Sequence, residues 1–248
     1  MNENRQYILI TGASSGIGKD LAILLSQSGY QCALVARNKE KLQDTIEQMQ
    51  NPDSHLMIPF DLMNLDQYNV IFDEIKSKNI VLKGLVHCAG ITKAIPLRAL
   101  SFNNSIDLFK IHYFAFVELV KWYSKKGISE GGSIVGVSSI NAHVPQKCMT
   151  SYAATKASVE SACKTLAIEL AEKNIRINTV VVGGIRTGMG DDIVSVHNAL
   201  GSDYVNPVER QLLGLGTAQS ISPVIRFLLS DDSAFITGRE IYVDGGLL

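Results

Sequence analysis

Thr11-Gly12-Ala13-Ser14-Ser15-Gly16-Ile17-Gly18 follows directly on the apolar run Tyr7-Ile8-Leu9-Ile10. A buried strand feeding a glycine-rich turn is the opening of a β-α unit that cradles a dinucleotide. Gly12, Gly16 and Gly18 let the backbone turn tightly and approach a pyrophosphate, and the helix that follows offers its first N–H groups to the anion. The spacing is Gly-x-x-x-Gly-x-Gly, not the Gly-x-Gly-x-x-Gly fingerprint. The glycines alone fit an ordinary turn equally well; their place after the first buried strand favours the nucleotide.

Outward from this turn, short apolar runs alternate with amphipathic segments. Runs at 32–35, 56–58, 85–88, 133–137, 177–181 and 240–243 predict further strands, and helical spacing covers 18–28, 39–50, 66–78, 105–126 and 151–173. Near-continuous apolar strands fit a parallel sheet covered on both faces. The expected fold class is therefore α/β: a single-domain, Rossmann-type, doubly wound parallel sheet of about seven strands flanked by helices. No linker or repeat divides the chain, so one domain is expected over 1–248. Residues 188–216, rich in Gly, Asp and Asn without a period, are expected to form a mobile substrate loop with short helices.

The bulk composition narrows the class. The 248 residues are 46% hydrophobic and 19% charged, enough to bury one sizeable core, and the net charge of −1 favours neither nucleic acid nor an anionic membrane surface. The polar start carries no signal-peptide pattern, and no stretch is apolar enough to span a membrane. Cys32, Cys88, Cys148 and Cys163 lie far apart, three of them among apolar or small neighbours where they read as reduced packing residues, and no metal site is expected. A cytoplasmic enzyme fits these features. His87 reads as a strand-end packing residue and His143 as a loop residue near the site.

The end of the second strand speaks to the nucleotide. An acidic residue there accepts the ribose hydroxyls of NAD, whereas an arginine accommodates a 2′-phosphate. The strand runs Leu34-Val35-Ala36-Arg37-Asn38, without a carboxylate and with Arg37 available. Arg37 reads equally as a solvated surface cation, but the missing acid disfavours NAD whatever Arg37 does, and NADP(H) is the expected cofactor.

A second pattern, Tyr152-Ala153-Ala154-Thr155-Lys156, sets a phenol and an ammonium four residues apart on one helix face. A free phenol is a poor base at neutral pH, and a unit positive charge at ~4 Å is worth up to roughly 4 kcal/mol at an effective dielectric of 20. Lys156 is thus placed to make Tyr152 a useful proton donor or acceptor. Ser138-Ser139 ends the fifth strand, where open α/β sheets bind ligands, and Ser139 can donate to a carbonyl oxygen as negative charge builds on it. A capping serine and a solvated Tyr-Lys pair are the bland readings of the same residues.

Thr11 to Gly18, Ala89-Gly90, Ser139, Tyr152-x-x-x-Lys156, Asn178 and Thr237-Gly238…Asp244-Gly245-Gly246 together resemble the short-chain dehydrogenase/reductase family, in its order and over essentially the whole chain. The flavour is that of bacterial 3-oxoacyl-acyl-carrier-protein reductases. The resemblance implies that Ser139, Tyr152 and Lys156 are catalytic, with Tyr152 and Lys156 also touching the cofactor. It implies that Gly12, Ser14, Ser15, Gly16, Ile17 and Gly18 hold the pyrophosphate and ribose, and that Arg37 and Asn38 select the cofactor. Asp61 and Leu62 would border the adenine, Ala89 and Gly90 the ribose, and Gly183, Ile185 and Thr187 the nicotinamide end.

Three departures from the family pattern stand out. Asn-Asn-Ala-Gly reads His87-Cys88-Ala89-Gly90; Pro-Gly after the sixth strand reads Val182-Gly183, which loosens the turn towards Thr187; and the asparagine that completes the catalytic set aligns with His112. Either His112 keeps the proton relay and makes it pH-sensitive, or it is a packing histidine.

By resemblance, 105–126 and 151–173 would form a four-helix contact in a homodimer or homotetramer. Trp122 and Tyr123 would sit there or in the core. The function this implies is NADPH-dependent reduction of a ketone to a secondary alcohol, with a 3-oxoacyl thioester on a carrier protein as substrate. Lys125, Lys126 and Lys173 would face the acidic carrier or, as scattered lysines usually do, form solvated surface. A sugar, polyol or specialised-pathway ketone is the alternative, and a non-catalytic NADPH-binding sensor or scaffold is the reading from another class.

Overall fold

The computed structural model describes residues 5–186 and 207–248. Seven strands form one wholly parallel sheet: β1 (Arg5–Thr11), β2 (Gln31–Ala36), β3 (Leu56–Pro59), β4 (Ile80–His87), β5 (Ser129–Ser139), β6 (Ile175–Val182) and β7 (Glu240–Val243). Their spatial order is β3-β2-β1-β4-β5-β6-β7. The order in which strands are added reverses between β1 and β4, which opens a crevice beyond their carboxyl ends.

The helices among the described residues are α1 (Gly16–Gln27), α2 (Lys39–Glu47), α3 (Asn69–Ser77), α4 (Phe102–Phe109), α5 (Ala115–Tyr123), α6 (Thr150–Leu170) and α7 (Ala218–Leu229). Side-chain alternation along β1 divides the core. Tyr7 and Leu9 face a cluster with α3, α5 and α6, whereas Ile8 and Ile10 face one with α1, α2 and α7. Burial on both faces explains why the strands read as continuous apolar runs.

All seven expected strands are present, with two adjustments. β4 ends at His87, so Cys88 lies beyond it, and β5 begins at Ser129, before its apolar stretch. The helix expected over 105–126 is interrupted by a π turn at Lys110–Phe114. α7 was not among the expected helices. Trp122 and Tyr123 pack within the chain: Trp122 stacks on Phe72 at 5.3 Å, and the buried Tyr123 hydroxyl donates to Gly131 O at 2.8 Å. No helix among the described residues is long and apolar enough to cross a membrane. Of the expected loop at 188–216, residues 188–206 lie outside the described residues, as does Thr187; Pro207–Arg210 form a 3-10 turn.

Candidate active site

The β1–α1 turn lies at the switch point. Gly12 takes φ +68° and Gly16 φ +53°, both left-handed conformations that favour glycine. A Cβ on Gly12 would lie 2.8 Å from Ala89 Cα, and one on Gly18 would collide with Gly12 O. Only glycine permits this closeness. Ser15 is the N-cap of α1 but makes no side-chain cap bond, and the first turn of α1 carries no acid. Ser14 and Ile17 are half-buried, whereas Ser15 and Gly16 are exposed. The first amides of α1 therefore suit an anion, and the cradle fits the pyrophosphate of a nicotinamide dinucleotide.

At the end of β2, Arg37 and Asn38 are exposed. Asn38 caps α2, its Oδ1 accepting from Lys41 N–H at 2.7 Å, so its side chain has a structural task. Arg37 projects from the strand end with no acidic residue beside it in sequence. Asp61 Oδ1 accepts from Met63 N–H at 3.0 Å in the turn after β3, and Leu62 is buried behind it.

The catalytic candidates converge beyond the carboxyl ends of β4 and β5. Ser139 ends β5 and caps a 3-10 turn, its Oγ accepting from Asn141 N–H at 3.3 Å. Tyr152 and Lys156 occupy consecutive turns of α6, both buried, with Lys156 Nζ 5.6 Å from the Tyr152 ring centre. Nζ donates to Val137 O at 2.9 Å. A Cβ on Gly90 would lie 3.9 Å from that ammonium and 2.7 Å from His112 Nε2. The missing side chain is what lets the His112 ring pack against this backbone.

Two buried histidines lock the segment after β4. Ile91 N–H donates to His112 Nε2 at 3.2 Å, so the proton sits on Nδ1 and points to Thr155 Oγ1 at 2.8 Å; that hydroxyl donates to Tyr152 O at 2.7 Å. On the other side, Ala89 N–H donates to Thr11 Oγ1 at 3.3 Å, leaving the threonine hydroxyl to donate to His87 Nδ1 at 2.9 Å. His87 Nε2–H then meets Ile111 O at 3.1 Å. Both rings are neutral. Burial first, then the Lys156 charge, pushes His87 down to about 3 and holds His112 well below the usual imidazole range.

These partners favour the packing alternative for His112: Ile91 N–H and Thr155 Oγ1 engage both ring nitrogens, and burial holds His112 well below the usual imidazole range. It ties the π turn to Ile91 and α6, with its ring edge-on to Tyr152 at 5.5 Å. Thr11 and Thr155, which fix the two tautomers, were not singled out in the sequence, because their histidine partners lie 76 and 43 residues away.

Gly183 and Ile185 follow β6, where Ile185 bridges to Gly216. Asn178 and Thr237 tie β6 to the segment before β7: Asn178 Nδ2 donates to Ile236 O at 2.9 Å, and Thr237 Oγ1 accepts from Ile177 N–H at 3.1 Å. His143 belongs to a polar cluster beside the trio. Its Nε2 lies 2.9 Å from Glu160 Oε2, and Glu160 also binds Ser138 Oγ. Glu240 completes the only group among the described residues with metal-ligand proximity. Lys164 Nζ at 2.6 Å and Tyr242 OH at 3.1 Å already occupy its oxygens, so the cluster is satisfied from within.

A cradle for a dinucleotide phosphate and a Ser-Tyr-Lys set at one sheet edge define a dinucleotide-dependent oxidoreductase. A family model described as Enoyl-(Acyl carrier protein) reductase matches residues 12–248. Carbonyl reductase family member 4 of Xenopus laevis is 33% identical over 242 residues, 96% of each chain. The 3-oxoacyl-(acyl-carrier-protein) reductase FabG of Thermotoga maritima is 32% identical over 244 residues, covering 97% of this chain and 96% of that one. A crystal structure of a short-chain dehydrogenase/reductase, glucose/ribitol dehydrogenase, from Brucella melitensis superimposes with a TM-score of 0.88 at 29% identity, covering 99% of this chain and 97% of that one. The chain belongs to the short-chain dehydrogenase/reductase family, oxidoreductases of CH–OH and C=O groups that use NAD(P)(H).

Proposed function

We propose that the protein is an NADPH-dependent carbonyl reductase that converts a ketone to a secondary alcohol. The convergence of Ser139, Tyr152 and Lys156 beyond the carboxyl end of β5 carries this reading. The bound nicotinamide supplies the hydride. Ser139 accepts from Asn141 N–H, so its own hydroxyl proton is free to donate to the substrate oxygen. Tyr152 gives its phenolic proton to that oxygen, and the Lys156 ammonium stabilises the charge left on the phenol. His112 acts through Ile91 and Thr155 as a positioning residue.

Arg37, exposed at the end of β2 with no neighbouring carboxylate, supports NADP(H) over NAD(H). A 3-oxoacyl thioester on a carrier protein is the first substrate class, supported by the likeness to FabG. Lys125 lies 3.1 Å from the Trp122 ring centre and Lys173 Nζ donates to Ser124 O, so of the three lysines expected to face a carrier two are engaged within the chain. A sugar or polyol ketone is the alternative, supported by the likeness to the glucose/ribitol enzyme. Self-association through α4–α6 belongs to the same reading, supported by the exposed Phe102, Phe114 and Ile168, and light scattering tests it.

The deciding experiment follows NADPH consumption with acetoacetyl thioester in wild type and Tyr152→Phe. Turnover that falls about 10²–10⁴-fold in the variant supports general-acid catalysis by Tyr152. Tight NADPH binding without turnover on the thioester or on sugar ketones favours a non-catalytic binding role.

A further inference from the structure

The turn after β6 is held by a side chain from a distant segment. Gln211, just beyond the 3-10 turn Pro207–Arg210, is buried. Its Oε1 accepts from Gly184 N–H, and its Nε2 donates to Gly184 O at 3.1 Å and to Gly214 O at 2.7 Å. The carboxamide thus pairs with both backbone groups of one glycine and reaches a second. Gly216 N–H donates to Gly184 O at 3.1 Å, and Arg186 N–H donates to Gly216 O at 2.9 Å, extending the clasp along the chain.

No slack surrounds this contact. A Cβ on Gly184 would lie 2.8 Å from Val208 Cβ and 2.9 Å from Gln211 Oε1; one on Gly183 would lie 2.6 Å from Asp244 Cα. A buried amide is costly to leave unpaired, so the chain gains from keeping this carboxamide in one orientation. Val182 stands where the family resemblance leads one to expect proline, and a valine does not stiffen the turn from within. Gln211 supplies the restraint from outside.

We propose that Gln211 is the positioning residue for the nicotinamide end of the cofactor, setting the backbone of 183–185 against which that end lies. This rests on the nicotinamide-dependent reading under Proposed function and on the family resemblance, which sets Gly183 and Ile185 at the nicotinamide end. The phosphate cradle lies on β1, three strands from β6, or about 14 Å at the usual ~4.8 Å interstrand spacing. Gln211 therefore acts on one end of the ligand and leaves the adenine end untouched.

The test compares two probes, NADPH and adenosine 2′,5′-bisphosphate, by fluorescence titration and thermal shift. Gln211→Met keeps the side chain's length and removes all three hydrogen bonds. Gln211→Glu keeps an acceptor for Gly184 N–H but turns oxygen towards two carbonyls. Both variants are made, so that a folding failure in one leaves the comparison intact. The expected result is an NADPH Kd raised about tenfold, a smaller NADPH-induced thermal shift, and a bisphosphate Kd within about twofold of wild type. An unchanged NADPH Kd overturns the proposal, as does parallel weakening of both probes, which marks a general structural role. Wild type that binds NADH but not NADPH refutes the NADP(H) reading alone, and NADH against ADP then makes the same comparison.

Discussion

His112 and His87 show how one residue's hydrogen-bond partners decide its chemistry. Each ring faces one group that can only donate or only accept: Ile91 N–H for His112, Ile111 O for His87. A second proton on His112 would face the Ile91 amide, so the imidazole cannot shuttle protons there. The pH profile of kcat is therefore expected to show no ionisation attributable to His112, and His112→Asn should retain more activity than His112→Leu, which orphans the Ile91 amide at a cost of about 1–3 kcal/mol. A profile whose inflection vanishes in His112→Asn refutes this. His87 carries a stability consequence. Its ordinary value is 6.5 and the folded one about 3, so above pH 6.5 both states are neutral and its contribution is fully present. As pH falls, the unfolded chain takes up a proton that the folded chain refuses, and stability declines by about 1.4 kcal/mol per pH unit. Urea denaturation should show that wild type loses about 2 kcal/mol more than His87→Gln between neutral pH and about pH 5. Equal losses would rule out a neutral, locked His87.

At the scale of elements, legibility in the sequence followed locality. The strands were readable because Ile8-Leu9-Ile10 and its counterparts are contiguous buried runs. The start of β5 was not, since Ser129, Glu130 and the glycines after them are not apolar. Tyr152 and Lys156 were readable because one helix sets their spacing, whereas Gln211 meets Gly184 across 27 residues and leaves no periodic trace. The π turn is equally silent, because one inserted residue barely disturbs an amphipathic pattern. α7 was missed because Pro223 and its polar first turn mask the spacing of Ile221, Ile225 and Leu228. A start signal was present: Thr217 and Ser220 form a capping box. That helix braces the phosphate cradle, since Ser222 Oγ and Gln219 Nε2 each donate to Asp20 of α1 at 2.6 Å. Thr217→Ala should lower stability by about 1 kcal/mol, measured by denaturant unfolding, and a change below a few tenths would show that tertiary packing alone fixes the helix start.

At the scale of the whole molecule, the proposed cofactor site joins two halves of one sheet. The β1–β2 side offers the amides of α1 and the Arg37 guanidinium; the β5–β6 side offers Tyr152, Lys156 and the turn clasped by Gln211. A ligand spanning both binds only the folded chain, and at a hundredfold excess over its Kd stabilises it by about 2.7 kcal/mol. For a domain of this size that corresponds to a rise in Tm of roughly 5–10 °C. The 2′-phosphate is the only difference between NADPH and NADH, and a guanidinium pairs with it by charge-assisted hydrogen bonds that a ribose hydroxyl cannot match. NADPH is therefore expected to raise Tm more than NADH at equal concentration. Arg37→Asp should reverse the order, because a carboxylate repels the phosphate and accepts from the ribose hydroxyls. The reversal distinguishes a specific contact from loss of a distant positive charge, which would weaken NADPH without strengthening NADH. An NADH shift in wild type that equals or exceeds that of NADPH would remove Arg37 from the site and assign the protein to NAD(H).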